Sequence, residues 1–292
     1  MSDATSASFA QSQNRATNSS GSHAKSRIAS RFAELSKNRQ LGLVAYLTAG
    51  DPNLETSEEI ILAAAEAGAD VIELGVPFSD PVADGPTIQR ASERALSSGT
   101  TLAGVLDLAA RLRKRTEVPF VLFSYFNPIL QMGLEKFAQA AASAGIDGVL
   151  ATDMTTEESA DYCRILRAHQ LDTIFLGAPT STDARLKQIA ACSSGFVYLI
   201  SRTGVTGTRD SLPEELPALV RRVRHFTPLP IAVGFGISQP AHVSSLAGVA
   251  DAAVVGSALV AEVEKSAKAN LSVDAAASAV AELIRALKAA TR

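Results

Sequence analysis

Short, continuous apolar runs recur along the chain from residue 41 onward. They read LGLVAYL from 41, VIELGV from 71, FVLFSY from 120, GVLAT from 148, TIFLGA from 173, FVYLIS from 196, PIAVGFG from 230 and AAVVGS from 252. Because these runs do not alternate with polar positions, they are typical of strands covered on both faces, as in a parallel sheet. Helical patterns such as EEIILAAAEAG and LEKFAQAAASAG lie between them, so the sequence predicts repeated β–α units.

Eight runs with helical segments between them predict a single-domain α/β fold, the (β/α)8 TIM barrel. A doubly wound open sheet is the competing architecture, but it usually has fewer strands and a G-x-G-x-x-G turn, which this sequence lacks. Residues 26–40, SRIASRFAELSKNRQ, predict an extra N-terminal helix that plugs the N-terminal end of the barrel. Residues 1–25 predict a disordered tail, with an organelle transit segment as the alternative. The catalytic domain is therefore expected to span 26–292.

Signals at the ends of the helices agree with this repeat. Three helix-to-strand joints each place a Gly at the end of a helix and an Asp before the next strand: AGADVIELG from 67, AGIDGVLATD from 144 and AGVADAAVVGS from 247. Capping boxes at Thr155–Glu158 and Ser211–Glu214 predict two helix starts.

Composition restricts the classes of partner. The formal net charge of −3 provides no basic surface for nucleic acid, and no apolar run reaches the roughly 18 residues that a membrane span requires. Neither nucleic acid nor a membrane is therefore an expected partner. Cys163 and Cys192 form neither a disulfide framework nor a metal-ligand spacing, and they fit a reduced, cytoplasmic protein.

The barrel prediction also locates the chemistry, because active sites in this fold lie at the C-terminal ends of the strands and in the loops that follow. The seventh run ends in GFG at 234–236 and the eighth in GS at 256–257. Loops at these positions often bind a phosphate with the help of a helix N-terminus. Gly204 and Gly207, after the sixth run, would complete the cradle. The alternative is that these glycines are ordinary turn residues.

The predicted strand ends carry carboxylates rather than lysines or metal ligands. None of the lysines follows a predicted strand, and no His or Cys pair has metal-ligand spacing. Glu73, which we place at the end of the second strand, would have a raised pKa if buried and would exchange protons near neutral pH. The alternative is a structural Glu held by backbone donors or an Arg. Asp84 lies in a loop at ADGP, where an exposed turn residue is the alternative.

Two further aspartates precede prolines and resemble turn starters. They are Asp51 in AGDPN and Asp80 in FSDP, and Asp before Pro is a common way to begin a turn. Neither is predicted to take part in catalysis.

Several motifs together resemble one known family. They are ELGVPFSDPVADGPTIQRA (73–91), YLTAGDPN (46–53), SYFNPILQMG (124–133), YLISRTGVTGTR (198–209), VGFGIS (233–238) and VVGSALV (254–260). In this order, over roughly residues 26 to 290, they are similar to the tryptophan synthase alpha chain family. The first motif is long and specific.

The resemblance implies a lyase that cleaves indole-3-glycerol phosphate into indole and glyceraldehyde 3-phosphate by a retro-aldol reaction. By motif position, Glu73 would protonate the indole ring at C3 and take the proton from the 3′-hydroxyl. Asp84 would accept a hydrogen bond from the indole N–H and stabilise the positive charge of the intermediate. Thr206 would hydrogen-bond Asp84 when the loop 202–212 closes as a lid.

The resemblance also implies the binding residues. The phosphate would be held by Gly207, Phe235, Gly236, Gly256 and Ser257. Aromatic side chains around the substrate would come from Tyr46, Tyr198 and Phe235. No cofactor is implied in this chain, because pyridoxal phosphate belongs to a partner beta chain that receives the indole in an alpha2-beta2 heterotetramer. The loop 77–84 and the SYFNP segment would face that partner.

One position departs from the family pattern. Thr155 in TDMTTEES replaces a Pro that the family commonly has after the fourth strand's Asp153, which leaves the local rim geometry open. Two alternative functions also remain at this point. One is another phosphate-binding TIM-barrel enzyme, and the other is an inactive regulator of the beta chain.

Overall fold

The computed structural model describes residues 26–200, 214–234 and 236–292. The predicted tail 1–25 and the whole of the predicted lid, 202–212, lie outside these residues, so both stay predictions. Nine strands are described: β1 Gly42–Thr48, β2 Val71–Gly75, β3 Phe120–Ser124, β4 Gly148–Ala151, β5 Asp172–Thr173, β6 Leu176–Gly177, β7 Val197–Ile200, β8 Ile231–Gly234 and β9 Ala252–Val255.

The described helices alternate with these strands. They are α1 Arg27–Lys37, α2 Leu54–Glu66, α3 Pro86–Ser97, α4 Leu102–Arg113, α5 Phe126–Met132, α6 Leu134–Ser143, α7 Ala160–Ala168, α8 Asp183–Cys192, α9 Leu216–Arg224, α10 Pro240–Ser244, α11 Ser257–Lys268 and α12 Val273–Ala289. No helix of the described residues is both long enough and apolar enough to cross a bilayer.

All strands belong to one parallel sheet with the order β5-β4-β3-β2-β1-β9-β8-β7-β6. Its two terminal strands, β5 and β6, are separated by only Ile174 and Phe175, so the sheet returns on itself through a single short segment. This confirms the predicted (β/α)8 barrel.

The fifth apolar run does not form one strand, contrary to the prediction from its sequence. It is divided because its first residues pair with β4 and its later residues pair with β7.

The extra N-terminal helix plugs the barrel, as predicted. Ile28, Phe32 and Leu35 of α1 are buried in one cluster with the strand residues Val44, Val71, Val121 and Leu150 and with Phe196, just before β7. The Phe32 and Phe196 rings lie 5.7 Å apart. The helix begins at a Ser26 hydroxyl that accepts the Ala29 N–H. The interior of the barrel at the N-terminal ends of the strands is therefore filled with apolar side chains.

The three similar helix-to-strand joints share one hydrogen-bonding device. Each Asp carboxylate accepts the N–H of a residue at the start of the preceding strand: Asp70 from Leu43 at 2.6 Å, Asp147 from Phe120 at 2.8 Å and Asp251 from Ile231 at 2.7 Å. Before them, Gly68, Gly145 and Gly248 have φ angles of 108°, 80° and 73°, which favour glycine. These aspartates therefore fix the N-terminal end of the barrel, opposite the predicted chemistry.

The capping box at Thr155 is wrong as a helix start. The Thr155 hydroxyl lies 3.3 Å from the Glu158 carboxylate instead of a backbone N–H, and α7 begins only at Ala160. The intervening turn is closed by its own hydrogen bonds, including the Ser159 hydroxyl to the Thr156 carbonyl at 3.0 Å. The second predicted box has Ser211 outside the described residues, and α9 begins at Leu216.

Candidate active site

Glu73 lies in the middle of β2, not at its end as the sequence suggested, because Leu74 and Gly75 continue the strand. It is in register with Tyr46 on β1 and Val121 on β3. Side chains alternate along a strand, and Val71 points into the apolar plug, so Glu73 points into the barrel one layer higher. The correction moves the carboxylate deeper into the barrel mouth.

The Glu73 side chain is 0% exposed, and neither carboxylate oxygen has a hydrogen-bond partner within the described residues. Removal from water disfavours the charged form, and burial raises the pKa of Glu73 to about 8. The structural alternative, a Glu held by backbone donors or an Arg, therefore finds no support in the described part of the chain. An unpartnered buried carboxyl is costly and points to a ligand.

Two tyrosines line the layer that contains Glu73. A Cβ on Gly75 would lie 2.3 Å from the Tyr46 hydroxyl oxygen, and a Cβ on Gly234 would lie 2.2 Å from that of Tyr198. The glycines in VIELG and IAVG are therefore required to make room for the two phenol groups. Burial is the main cause that raises the pKa of both tyrosines, and the charge of Glu73 adds to it.

Asp84 lies in the loop between β2 and α3, immediately before the Gly85 N-cap. Its Oδ2 accepts a hydrogen bond from the Tyr125 hydroxyl at 3.2 Å, and the same hydroxyl accepts the Ala83 N–H at 2.9 Å. The Phe78 ring stacks on the Tyr125 ring at 5.0 Å. Burial raises the pKa of Asp84 to about 6, while the hydrogen bond from Tyr125 opposes that shift.

Asp84 and Glu73 are brought together around Tyr46. The charges of both carboxylates contribute to the raised pKa of the Tyr46 phenol, with Asp84 contributing more than Glu73. Two carboxyl groups with different environments therefore lie near the same tyrosine, an arrangement that can divide acid and base roles.

The other two aspartates differ from each other. Asp80 accepts a hydrogen bond from the Ser79 hydroxyl at 2.6 Å at the surface, which fits its predicted turn role. Asp51 is more than a turn starter, because its buried carboxylate binds the Arg94 guanidinium through two bonds of 2.7 Å. Sequence reasoning missed that pair, and it also missed Tyr125 as the anchor of Asp84. The only signal for Tyr125 was its place directly after the third strand.

The predicted phosphate residues occupy neighbouring loops. Gly256 is the N-cap of α11, with Ser257 as its first helical residue, so free backbone N–H groups point out of the helix start. Gly236 has a φ of 76° and follows β8, which pairs with β9. The two loops therefore meet at one rim. Thr206, Gly207 and Phe235 lie outside the described residues and stay predictions.

Among the described residues, the candidate proton-exchanging groups of the predicted site are carboxylates. No group of three or more His, Cys, Asp or Glu side chains is arranged to hold a metal within the described ranges. The lysines of those ranges all lie in helices or at helix ends, at positions 37, 114, 136, 187, 265, 268 and 288. The assignment of the acid–base role to carboxylates stays a prediction.

Comparison with known proteins gives one consistent family. A profile of the tryptophan synthase alpha chain family matches residues 32–292. The tryptophan synthase alpha chain of Solibacter usitatus is 52% identical over 242 residues, covering 83% of this chain and 91% of the relative. That of Geotalea uraniireducens is 51% identical over 235 residues, covering 80% of this chain and 88% of the relative.

Solved structures agree with the sequence relatives. Tryptophan synthase from Mycobacterium tuberculosis superposes with a TM-score of 0.84 at 35% identity, covering 91% of this chain and 98% of that chain. The tryptophan synthase subunit alpha of Legionella pneumophila superposes with a TM-score of 0.81 at 36% identity, again with 91% and 98% covered. The chain belongs to the tryptophan synthase alpha chain family, a family of carbon–carbon lyases.

Proposed function

We propose that this chain cleaves indole-3-glycerol phosphate into indole and glyceraldehyde 3-phosphate, with Glu73 and Asp84 as the catalytic residues. The observation that carries the proposal is Glu73, a fully buried carboxyl without a hydrogen-bond partner in the described residues. It lies below the rim that contains the predicted phosphate residues. A retro-aldol cleavage of this substrate requires a group that both donates and accepts a proton.

Glu73 supplies both proton transfers in this proposal. With a pKa raised to about 8, it is mostly protonated at neutral pH and donates its proton to C3 of the indole ring. The resulting carboxylate then removes the proton from the 3′-hydroxyl. The C3–C3′ bond breaks, its electron pair restores the indole ring, and the former hydroxyl carbon leaves as the aldehyde. Glu73 ends the cycle protonated, so no external base is consumed.

Asp84 acts as an ionised carboxylate, whereas Glu73 begins the cycle protonated. With a pKa raised to about 6, it is mostly ionised at neutral pH and accepts a hydrogen bond from the indole N–H. Protonation at C3 makes that nitrogen positive, and a nearby carboxylate in a site with little water stabilises the intermediate. The hydrogen bond from Tyr125 keeps the carboxylate oriented before the substrate arrives.

Binding of the rest of the substrate falls to the rim and the aromatic layer. Gly236, Gly256 and Ser257 offer backbone N–H groups to the phosphate, together with Gly207 and Phe235. Tyr46 and Tyr198 line the cavity for the indole ring, and Thr206 contacts Asp84 in the closed state. These roles follow the sequence motifs and the rim geometry described above.

A beta chain is the proposed partner, in an alpha2-beta2 heterotetramer that carries pyridoxal phosphate in the beta chain only. One of the structural relatives is a tryptophan synthase from M. tuberculosis described as an aminoacrylate-bound form. On the catalytic side of this chain, Val82 is 89% exposed and Leu130 is 56% exposed, which suits a protein contact.

The cytoplasm remains the proposed compartment, since Cys163 and Cys192 are both free thiols.

The test is an indole-release assay on indole-3-glycerol phosphate, with and without a cognate beta chain. The wild-type chain is expected to release indole in both conditions, and E73Q is expected to release none while still binding glycerol 3-phosphate. Absence of indole from the wild-type chain in both conditions would reject the activity and favour the inactive regulator. Substantial turnover by E73Q would reject the assignment of Glu73.

A further inference from the structure

Helix α3 covers the active site and begins directly after Asp84. Its residues Ile88 and Ala91 pack with Tyr46 and with Val260 of α11. One side of α3 thus lies on the aromatic layer of the active site. The position of α3 therefore determines where the Asp84 loop stands relative to Glu73 and the phosphate rim.

Two arginines fix α3 to its neighbours through paired hydrogen bonds. Arg90 binds both carboxylate oxygens of Glu264 on α11 at 2.7 and 2.8 Å. Arg94 binds both oxygens of Asp51, in the loop after β1, at 2.7 Å each. Residues four apart on a helix lie on one face, so both arginines hold the same side of α3.

The carboxylates in this network are buried, so loss of an arginine partner would leave a buried negative charge with fewer counter-ions. The Asp51 side chain is 2% exposed and the Glu264 side chain 8% exposed. Lys268 also contacts Glu264, at 2.8 Å, and Arg94 approaches it to 3.6 Å. Paired Arg–carboxylate bonds fix orientation as well as distance, so α3 cannot shift along α11 without breaking them.

We propose that Arg90 and Arg94 are positioning residues that hold Asp84 over the substrate by fixing α3 to α11 and to the loop after β1. The proposal rests on the proposed function for its consequence on turnover, but its structural part does not. Because α11 begins at Ser257 of the phosphate rim, the same network sets the distance between Asp84 and the phosphate site. Neither arginine contacts the reacting atoms.

The first test compares R90M with a matched control, R111M. Arg90 and Arg111 are 45% and 44% exposed, and each binds a glutamate on another helix. Arg111 and its partner Glu58 lie on α4 and α2, away from the site. R90M is expected to fold, since Glu264 keeps Arg94 and Lys268. Small misplacements of a catalytic group cost up to about 100-fold in rate, so we expect kcat to fall about 5- to 20-fold.

A comparison of kcat with the affinity for glycerol 3-phosphate distinguishes a positioning role of Arg90 from a general structural defect. The affinity of R90M for glycerol 3-phosphate is expected to stay within about twofold of the wild type, because the phosphate rim does not belong to α3. R90K is expected to give an intermediate kcat, since lysine keeps the charge but cannot form two parallel bonds. R111M should match the wild type in kcat and in affinity.

A spectroscopic test does not depend on turnover. The chain contains no tryptophan, so V82W places a single indole fluorophore on the loop that bears Asp84. In this background R90M is expected to lower the fluorescence anisotropy of the ligand-free protein, and R111M is expected to leave it unchanged. An R90M protein with wild-type kcat and unchanged anisotropy would overturn the proposal. If the wild-type chain released no indole, the proposed function would fail, and the anisotropy comparison would still decide on the network.

Discussion

At the scale of single residues, the burial of Glu73 has a measurable cost. An unfolded Glu73 ionises near its ordinary pKa of 4.5, whereas the folded one ionises near 8. Between these pH values the unfolded state loses a proton that the folded state keeps, so Glu73 lowers the free energy of unfolding as pH rises through this window. Below 4.5 and above 8 its contribution is constant.

We therefore expect E73Q to gain stability relative to the wild type as pH rises from 4.5 to 8, by on the order of a few kcal/mol. Glutamine does not titrate, so the rest of the pH dependence is shared by both proteins. Urea unfolding at a series of pH values measures the difference. A difference that stays constant over this window would show that Glu73 is not protonated in the folded protein.

The hydroxyl of Tyr125 gives a second prediction at this scale. Its hydrogen bond lowers the pKa of Asp84 against the effect of burial, so Y125F should raise that pKa. The acid side of the kcat/KM profile, expected near pH 6 in the wild type, should then move to higher pH. Tyr162 is also buried, but its hydroxyl faces the Val149 carbonyl at 3.4 Å, so Y162F is the control. A Y125F profile identical to that of the wild type would contradict the anchoring of Asp84.

At the scale of elements, the plug helix α1 separates stability from catalysis. Phe32 is buried and packs on Phe196 at the end of the barrel opposite the active site. F32A is expected to cost about 3–5 kcal/mol of unfolding free energy, measured by urea titration. The kcat of the folded fraction should remain near that of the wild type. The exposed Leu271 provides the control L271A, which should change stability by less than about 0.5 kcal/mol. A large loss of kcat in F32A would show that the plug also shapes the site.

How much the sequence predicted differs between local and distant features. Continuous apolar runs sufficed for the barrel strands, and the amphipathic stretch 26–40 sufficed for α1, because both patterns are local. The division of the fifth run was not predictable, since it depends on pairing with β4 and β7. Glu73 was singled out as a carboxylate whose pKa burial would raise, but it was placed too late in its strand, because the run itself does not mark where strand pairing stops.

The contacts that hold the site together are the least visible in the sequence. Arg90 and Glu264 are 174 residues apart, and Tyr125 and Asp84 are 41 residues apart. Each partner is an ordinary surface residue type, and only the closed barrel brings them together. Glu73 and Asp84 could be selected as candidates from their strand and loop positions, whereas the long-range contacts around them could not be predicted.

At the scale of the whole molecule, two of the exposed apolar residues, Val82 and Leu130, lie at the end of the barrel that carries the predicted site. Val82 belongs to the Asp84 loop and Leu130 to α5, which follows β3 and the Tyr125 anchor. A partner that docks on both would touch the two elements joined by Tyr125. A beta chain bound there would therefore be connected to Asp84 through Tyr125, whose hydrogen bond to Asp84 is already formed in the free chain.

We expect V82D and L130D to weaken association with a cognate beta chain, because each places a charge in a contact that excludes water. Both side chains are exposed in the free chain, so the unfolding free energy and the basal indole release of the isolated chain should change little. The control is L271D, which introduces the same charge at an exposed Leu. This residue lies in the connection after α11, at the opposite end of the barrel. Titration calorimetry with the beta chain gives the affinities. If L271D weakened association as much as V82D and L130D, the docking face would not be the catalytic side, and the route from partner to Asp84 through Tyr125 would be lost with it.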